Sequence, residues 1–240
     1  MFSDLKAKYN LVDFIETGYG EGAGVKSALE AGFESVTSIE IVSEVAEAAG
    51  SEWAEDENGR VTILENNSYD GLSLACQKLR GPILFYLDAY LPAQWGYTKP
   101  ADEFNYPLEV ELEVISACRP VGEDVILINN LSLYERGCEK PVLGWKHSPY
   151  QDSDFIERLF EETHTILRDK SGVGTVTLTP KTMEEKTIPA FEKKTDEPVK
   201  SIAPIWDDET IYAAESSDEK AIDQINISLK NAGTGQEKAS

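Results

Sequence analysis

Positive charge is scarce in this chain. Its 240 residues carry 22 lysines and arginines against 44 aspartates and glutamates, for a formal net charge of −22 and a pI near 4.4. A surface of that sign repels phosphate backbones and anionic headgroups, so neither nucleic acid nor a membrane is an expected partner. Cysteine is scarce too: Cys76, Cys118 and Cys138 are an odd number and form no CxxC pair. That excludes a disulfide framework and a cysteine-rich zinc module, and it fits reduced thiols in a cytoplasmic protein. No apolar run approaches the roughly 18 residues a membrane helix needs. The first ten residues, "MFSDLKAKYN", mix charges and lack the apolar stretch of a secretion signal. No internal repeat is visible.

What the chain does have is alternation. After a short amphipathic helix, "LVDFIE", "SVTSIEI", "RVTILEN", "GPILFYLD" and "EDVILIN" read as strands. Helix-period segments separate them: "GVKSALEAG", "VSEVAEAAGSEWAE", "YDGLSLACQKL" and "PLEVELEVISAC". The fourth and fifth strands are almost wholly apolar, as strands buried on both faces must be. A further helix, "DSDFIERLFEE", precedes "THTILRD" and "TVTLTP", two β-rich runs joined across "KSGVG" as a hairpin. The expected fold is therefore α/β, a mostly parallel sheet with helices on both faces, ending in an antiparallel hairpin. Periodicity fades at Lys181. We read 1–180 as the domain and 181–240 as an acidic, partly disordered tail, in which Trp206 and its apolar neighbours have some capacity to dock.

One stretch stands out. "FIETGYGEGAGVKSAL" runs from a strand into a helix through glycines at 18, 20, 22 and 24, with an acid, Glu16, just before them. Ligands of open α/β sheets sit beyond the carboxyl ends of the strands, and glycine lets backbone approach them closely. A dinucleotide fingerprint, GxGxxG, fits only as Gly18, Gly20 and Ala23, and an acid at the strand end repels a pyrophosphate. An acid, one residue, then GxGxG is the usual signature for S-adenosylmethionine. Glu16, Gly18, Gly20 and Gly22 match it, with Thr17 between, and the acid suits the cationic amino-acid end of that molecule. A tight turn that binds nothing is the simpler alternative. Polar groups at other strand ends weigh against it: Glu40, followed by Ile41, for ribose hydroxyls; Asn67 and Ser68 for an adenine edge; and Asp88 after the fourth strand.

With "FIETGYGEG", "SIE", "ENNS", "FYLDAY" and "VILINN" in these places, residues 10–180 resemble the class I S-adenosylmethionine-dependent methyltransferases. "GPILFYLDAYLP" and "DVILINNLSLYE" are closest in look to the sugar O-methyltransferases related to macrocin O-methyltransferase. The resemblance implies a Rossmann-like three-layer sandwich with a seven-stranded sheet. It also implies methyl transfer to a hydroxyl of a small, sugar-like acceptor. Related enzymes hold Mg²⁺ with an acid after the fourth strand and an Asp-Asp or Asp-Asn pair after the fifth. The matching positions here are Asp88, Asn129 and Asn130, and Tyr90 stands where relatives often carry histidine. One carboxylate and two amides make a doubtful magnesium site. Three outcomes stay open: a weak metal; Asp88 alone as general base; or lost catalysis, with the fold kept to bind a cofactor or a partner. His147 is a second candidate base. Tyr90, Trp95, Tyr97, Phe104 and Tyr106 are candidates for an aromatic lid over the acceptor, and His164 reads as structural.

Overall fold

The computed structural model describes residues 1–56, 58–79, 81–90, 106–119, 122–140 and 152–181. Helix α1 (Phe2–Tyr9) leads into β1 (Asp13–Thr17), α2 (Ala23–Glu30), β2 (Ser35–Glu40), α3 (Ser43–Trp53), β3 (Val61–Glu65), α4 (Ser68–Lys78) and β4 (Ile83–Leu87). After it come α5 (Leu108–Cys118), β5 (Val125–Ile128), a 3₁₀ turn over Leu131–Leu133, α6 (Phe155–Phe160), β6 (His164–Asp169) and β7 (Thr175–Pro180). The seven strands form one sheet in the order β3-β2-β1-β4-β5-β7-β6. Strands β1 to β5 pair in parallel, and β7 inserts antiparallel between β5 and β6. This is the mostly parallel α/β sheet expected from the alternation, hairpin included, and the seven-stranded Rossmann-like sandwich that the resemblance implies.

Side-chain alternation along the strands divides the core into two layers. Ile15, Ile39, Phe85, Leu87, Ile126 and Ile128 face α4, α5 and α6, meeting Leu72, Leu112, Ile115 and Ile156. Phe14, Val36, Leu84, Val125 and Leu127 face the other way, onto Val25 and Ala28 of α2 and Ala49 of α3. β1 is buried at all five positions. At the roughly 25 cal/mol per Å² typical of apolar burial, this doubly covered centre dominates the fold's stability.

The chain order reverses at β1, where β2 leaves to one side and β4 lies on the other. That switch opens a crevice at the carboxyl ends of β1, β2 and β4, and the glycine-rich turn runs across it. One boundary differs from the expectation drawn from the sequence. β1 runs one residue further, to Thr17, so Glu16 lies inside the strand rather than at its tip and is 1% exposed.

Candidate functional site

The crevice encloses a cavity of about 330 Å³. Glu16, Gly18, Gly20, Glu40, Ile41, Ser68, Tyr86, Asp88 and Tyr90 line it, and among the described residues no lysine or arginine does. Gly18 turns with φ +82°, and a Cβ there would stand 3.0 Å from the Asp88 carbonyl oxygen and 3.1 Å from the Ala89 Cα. Only glycine lets the β1 exit pass so close to the β4 exit. Gly24, in the first turn of α2, has the sharper constraint: an added Cβ would fall 1.7 Å from Glu16 Oε2. The fourth glycine thus makes room for the acid, and it lines the cavity as well.

Glu16 accepts a hydrogen bond from Ser38 Oγ at 2.7 Å. Burial pushes its carboxyl up to about 8; the Ser38 bond opposes this, and the nearby Asp88 and Glu40 charges add to it. Glu40 sits across the glycine turn. One of its oxygens accepts the Tyr19 N–H at 3.0 Å and the Gly20 N–H at 3.4 Å, and the other accepts the Val42 N–H at 2.9 Å. Those three amides hold the carboxylate at the cavity wall, where one acceptor site on Oε1 remains for a hydroxyl.

Asp88 is the hub of the far wall. Its Oδ1 accepts from Asn130 Nδ2 at 2.6 Å and from Asn129 Nδ2 at 3.2 Å, and its Oδ2 accepts from the Tyr86 hydroxyl at 3.2 Å. Burial raises it to about 6 against the pull of those three donors. Asn130 reaches it from a left-handed backbone, φ 55°, a conformation asparagine tolerates well. This arrangement does not fit Mg²⁺. The two amides turn their N–H groups, not their oxygens, toward the single carboxylate. Among the described residues no three histidine, cysteine, aspartate or glutamate side chains are grouped to hold a metal. The set suits a carboxylate kept ionised by neutral donors.

Three expected contacts are placed elsewhere. Asn67 is the N-cap of α4: its oxygen accepts the Asp70 N–H at 2.9 Å and its amide donates to Asp70 Oδ2 at 2.6 Å. Its neighbour Asn66 lines the cavity instead, beside Ser68. Thr17 is fully buried behind the wall, where its hydroxyl accepts the Asp88 N–H at 3.3 Å. Gly22 caps α2 with φ 74° and does not reach the lining. Of the aromatic lid, Tyr90 lines the cavity, while Tyr106 packs edge-on against Tyr134 at 6.3 Å. Trp95, Tyr97, Phe104 and the candidate base His147 lie outside the described residues, as does the tail beyond Lys181. His164 is buried under the opposite end of the sheet, its Nε2 3.0 Å from the Asp124 carbonyl oxygen, a structural position.

One acid of the site is not among those expected from the sequence. Glu111 of α5 is 1% exposed and borders a small cavity together with Asp88 and Asn129. Its Oε1 has no hydrogen-bond partner among the described residues. Burial lifts this carboxyl to about 7, opposed by the hydroxyls of Ser68 and Thr17 and reinforced by Asp88. A signal for it exists: Leu108, Glu111, Leu112 and Ile115 form the buried stripe of α5, so the acid stands where a core residue belongs.

No protein-family model matches this sequence, and no curated protein matches it. Among solved structures, a Staphylococcus aureus protein assigned as a caffeoyl-CoA O-methyltransferase aligns at 12% identity over 74% of this chain and 80% of its own, with a TM-score of 0.48. The O-methyltransferase TomG of Streptomyces achromogenes, solved with S-adenosylmethionine, aligns at 16% identity over 75% and 78%, TM-score 0.45. The ribosomal protein L11 methylase of Lactobacillus delbrueckii aligns at 15% identity over 75% and 77%, TM-score 0.44.

Proposed function

We propose that this protein transfers a methyl group from S-adenosylmethionine to a hydroxyl of a small, sugar-like acceptor. The observation that carries the reading is the cavity at the switch point. Glu16, Glu40 and Asp88 face it, Glu111 stands behind Asp88, and among the described residues no cationic side chain lines it. Buried carboxylates without a cation are costly, and a cationic ligand offsets that cost. The same walls repel a pyrophosphate, which disfavours a nicotinamide dinucleotide.

The sulfonium of S-adenosylmethionine supplies a methyl group already activated for in-line displacement. The protein's part is to bind, orient and take a proton. Glu16 complements the cationic amino-acid end. Glu40, fixed by three backbone amides, offers its remaining acceptor site to a ribose hydroxyl. Asn66 and Ser68 present polar atoms to the base. Asp88, held by Asn129, Asn130 and Tyr86, accepts the acceptor's hydroxyl proton, and at neutral pH it is mostly ionised. No step uses a metal, so activity persists in chelator.

Titration calorimetry tests the reading. S-adenosylmethionine and S-adenosylhomocysteine should bind, and NAD should not. Glu16 must shed its proton to meet a cation, so S-adenosylmethionine should bind roughly tenfold tighter at pH 8 than at pH 6. Tighter binding of NAD, or affinity that weakens as pH rises, would refute the proposal.

A further inference from the structure

The glycine turn is held from outside as well as by its own backbone. Tyr19 lies between Gly18 and Gly20 and lines the cavity, and its hydroxyl reaches α3. Its hydroxyl donates to Glu52 Oε2 at 2.7 Å and accepts the Trp53 indole N–H at 3.0 Å, both on α3. Glu52 in turn pairs with Lys26 of α2 at 3.1 Å, and that pair is about half exposed. The phenol ring lies over Gly22, where a Cβ would stand 2.5 Å from its oxygen. At its other end, the Tyr19 backbone N–H donates to Glu40, the acid that faces the cavity. One residue therefore touches both the ligand-facing acid and a cluster at the protein's rim. A small hydroxyl at this position would let the turn exist but could not span the distance to α3.

We infer that Tyr19 is a positioning residue that latches the ligand turn to Lys26, Glu52 and Trp53, so that the turn is set before a ligand arrives and the rim cluster senses its arrival. The identity of that ligand rests on the function proposed above; the latch itself does not. Pre-setting the turn spares the ligand the cost of ordering it. Coupling through Glu40 means that whatever engages this carboxylate also pulls on the Tyr19 backbone and, through the ring, on the Trp53 indole.

Tyr19→Phe keeps the ring and removes the latch. In the ligand-free protein, amide hydrogen exchange at residues 18–22 should quicken about tenfold, the scale of one lost hydrogen bond, and S-adenosylhomocysteine should bind about tenfold more weakly. With 5-fluorotryptophan incorporated, the Trp53 fluorine resonance, assigned by Trp53→Phe, should shift on adding S-adenosylhomocysteine to wild type and stay still in Tyr19→Phe. Glu52→Gln retains an acceptor oxygen and should behave as wild type, whereas Glu52→Ala removes one of the two latch bonds, should quicken exchange in the same direction by less, and serves if Tyr19→Phe folds poorly. Unchanged exchange at residues 18–22 in both disrupting variants would overturn the latch. If wild type binds no S-adenosylhomocysteine, the proposed function fails, and the exchange measurement still decides the latch.

Discussion

Acids are buried at both ends of the sheet, and the two ends treat them differently. At the amino ends of the strands, Asp124 is bound by Arg119 through Nε and a terminal nitrogen, each at 2.8 Å, and it also accepts the Ile83 N–H. The same guanidinium donates to the Gly81 carbonyl at 2.7 Å and holds down the nearby Asp13 carboxyl against the burial that raises it. At the carboxyl ends, Glu16 and Glu111 are buried and Asp88 is partly so, and among the described residues only neutral donors bond them. The fold is therefore able to supply a cation to a buried acid, and does so at the end where no ligand is expected. A buried carboxylate with its own guanidinium is structure; one without is a demand the protein leaves for something else to meet.

Substitutions that break or sharpen this contrast should fall in a definite order. Arg119→Met strips the amino-end acids of their cation. Leaving Asp124 buried and unpaired should cost about 3–5 kcal/mol, read by urea unfolding. A loss below about 1 kcal/mol would mean the two ends are alike. Glu16→Gln should act in the opposite sense. The native state holds the Glu16 proton more tightly than the unfolded chain, so wild-type stability is retained below about pH 4.5 and declines as pH rises through 8. The variant removes this decline and should gain roughly 2–4 kcal/mol at pH 8. It should also bind S-adenosylmethionine about a hundredfold more weakly. A variant less stable than wild type at pH 8 would show that the acid is already satisfied. Asn67→Ala is the smallest change: it should cost about 1 kcal/mol as a lost helix cap. Ligand affinity should not move, and a tenfold drop would return Asn67 to the site.

These residues also show how far the amino-acid sequence alone reveals the fold and the site. The central strands are legible because burial on both faces leaves them nothing but apolar side chains, as in "ILFYL" and "VILI". Their carboxyl ends follow, and with them Gly18, Gly20, Glu40, Ser68 and Asp88 at the cavity. The run "ENNS" is harder, because two asparagines compete and the start of α4 decides between them. Asp70, three residues after Asn67, marks that one as the cap, a local pattern easily passed over beside the larger motif. Glu111 is legible only as an offence against the apolar stripe of α5. The latch on Tyr19 is not legible at all: Glu52 and Trp53 lie 33 and 34 positions away, and nothing in the intervening sequence announces the contact.

The clearance between Glu16 and Gly24 bears on the order in which this chain can change. Alanine at 24 is a helix-favouring replacement that most helices would welcome. Here its methyl group would occupy the place of the Glu16 carboxylate, 1.7 Å from Oε2. The two positions are coupled: with glutamate at 16, Gly24→Ala requires the carboxylate to shift, and with a shorter residue at 16 it does not. A lineage that gave up the acid could then take the alanine, and from that point a glutamate restored at 16 would have to place its carboxylate elsewhere. The step away from this site is then easier to take than to reverse, a bias built from one missing carbon atom.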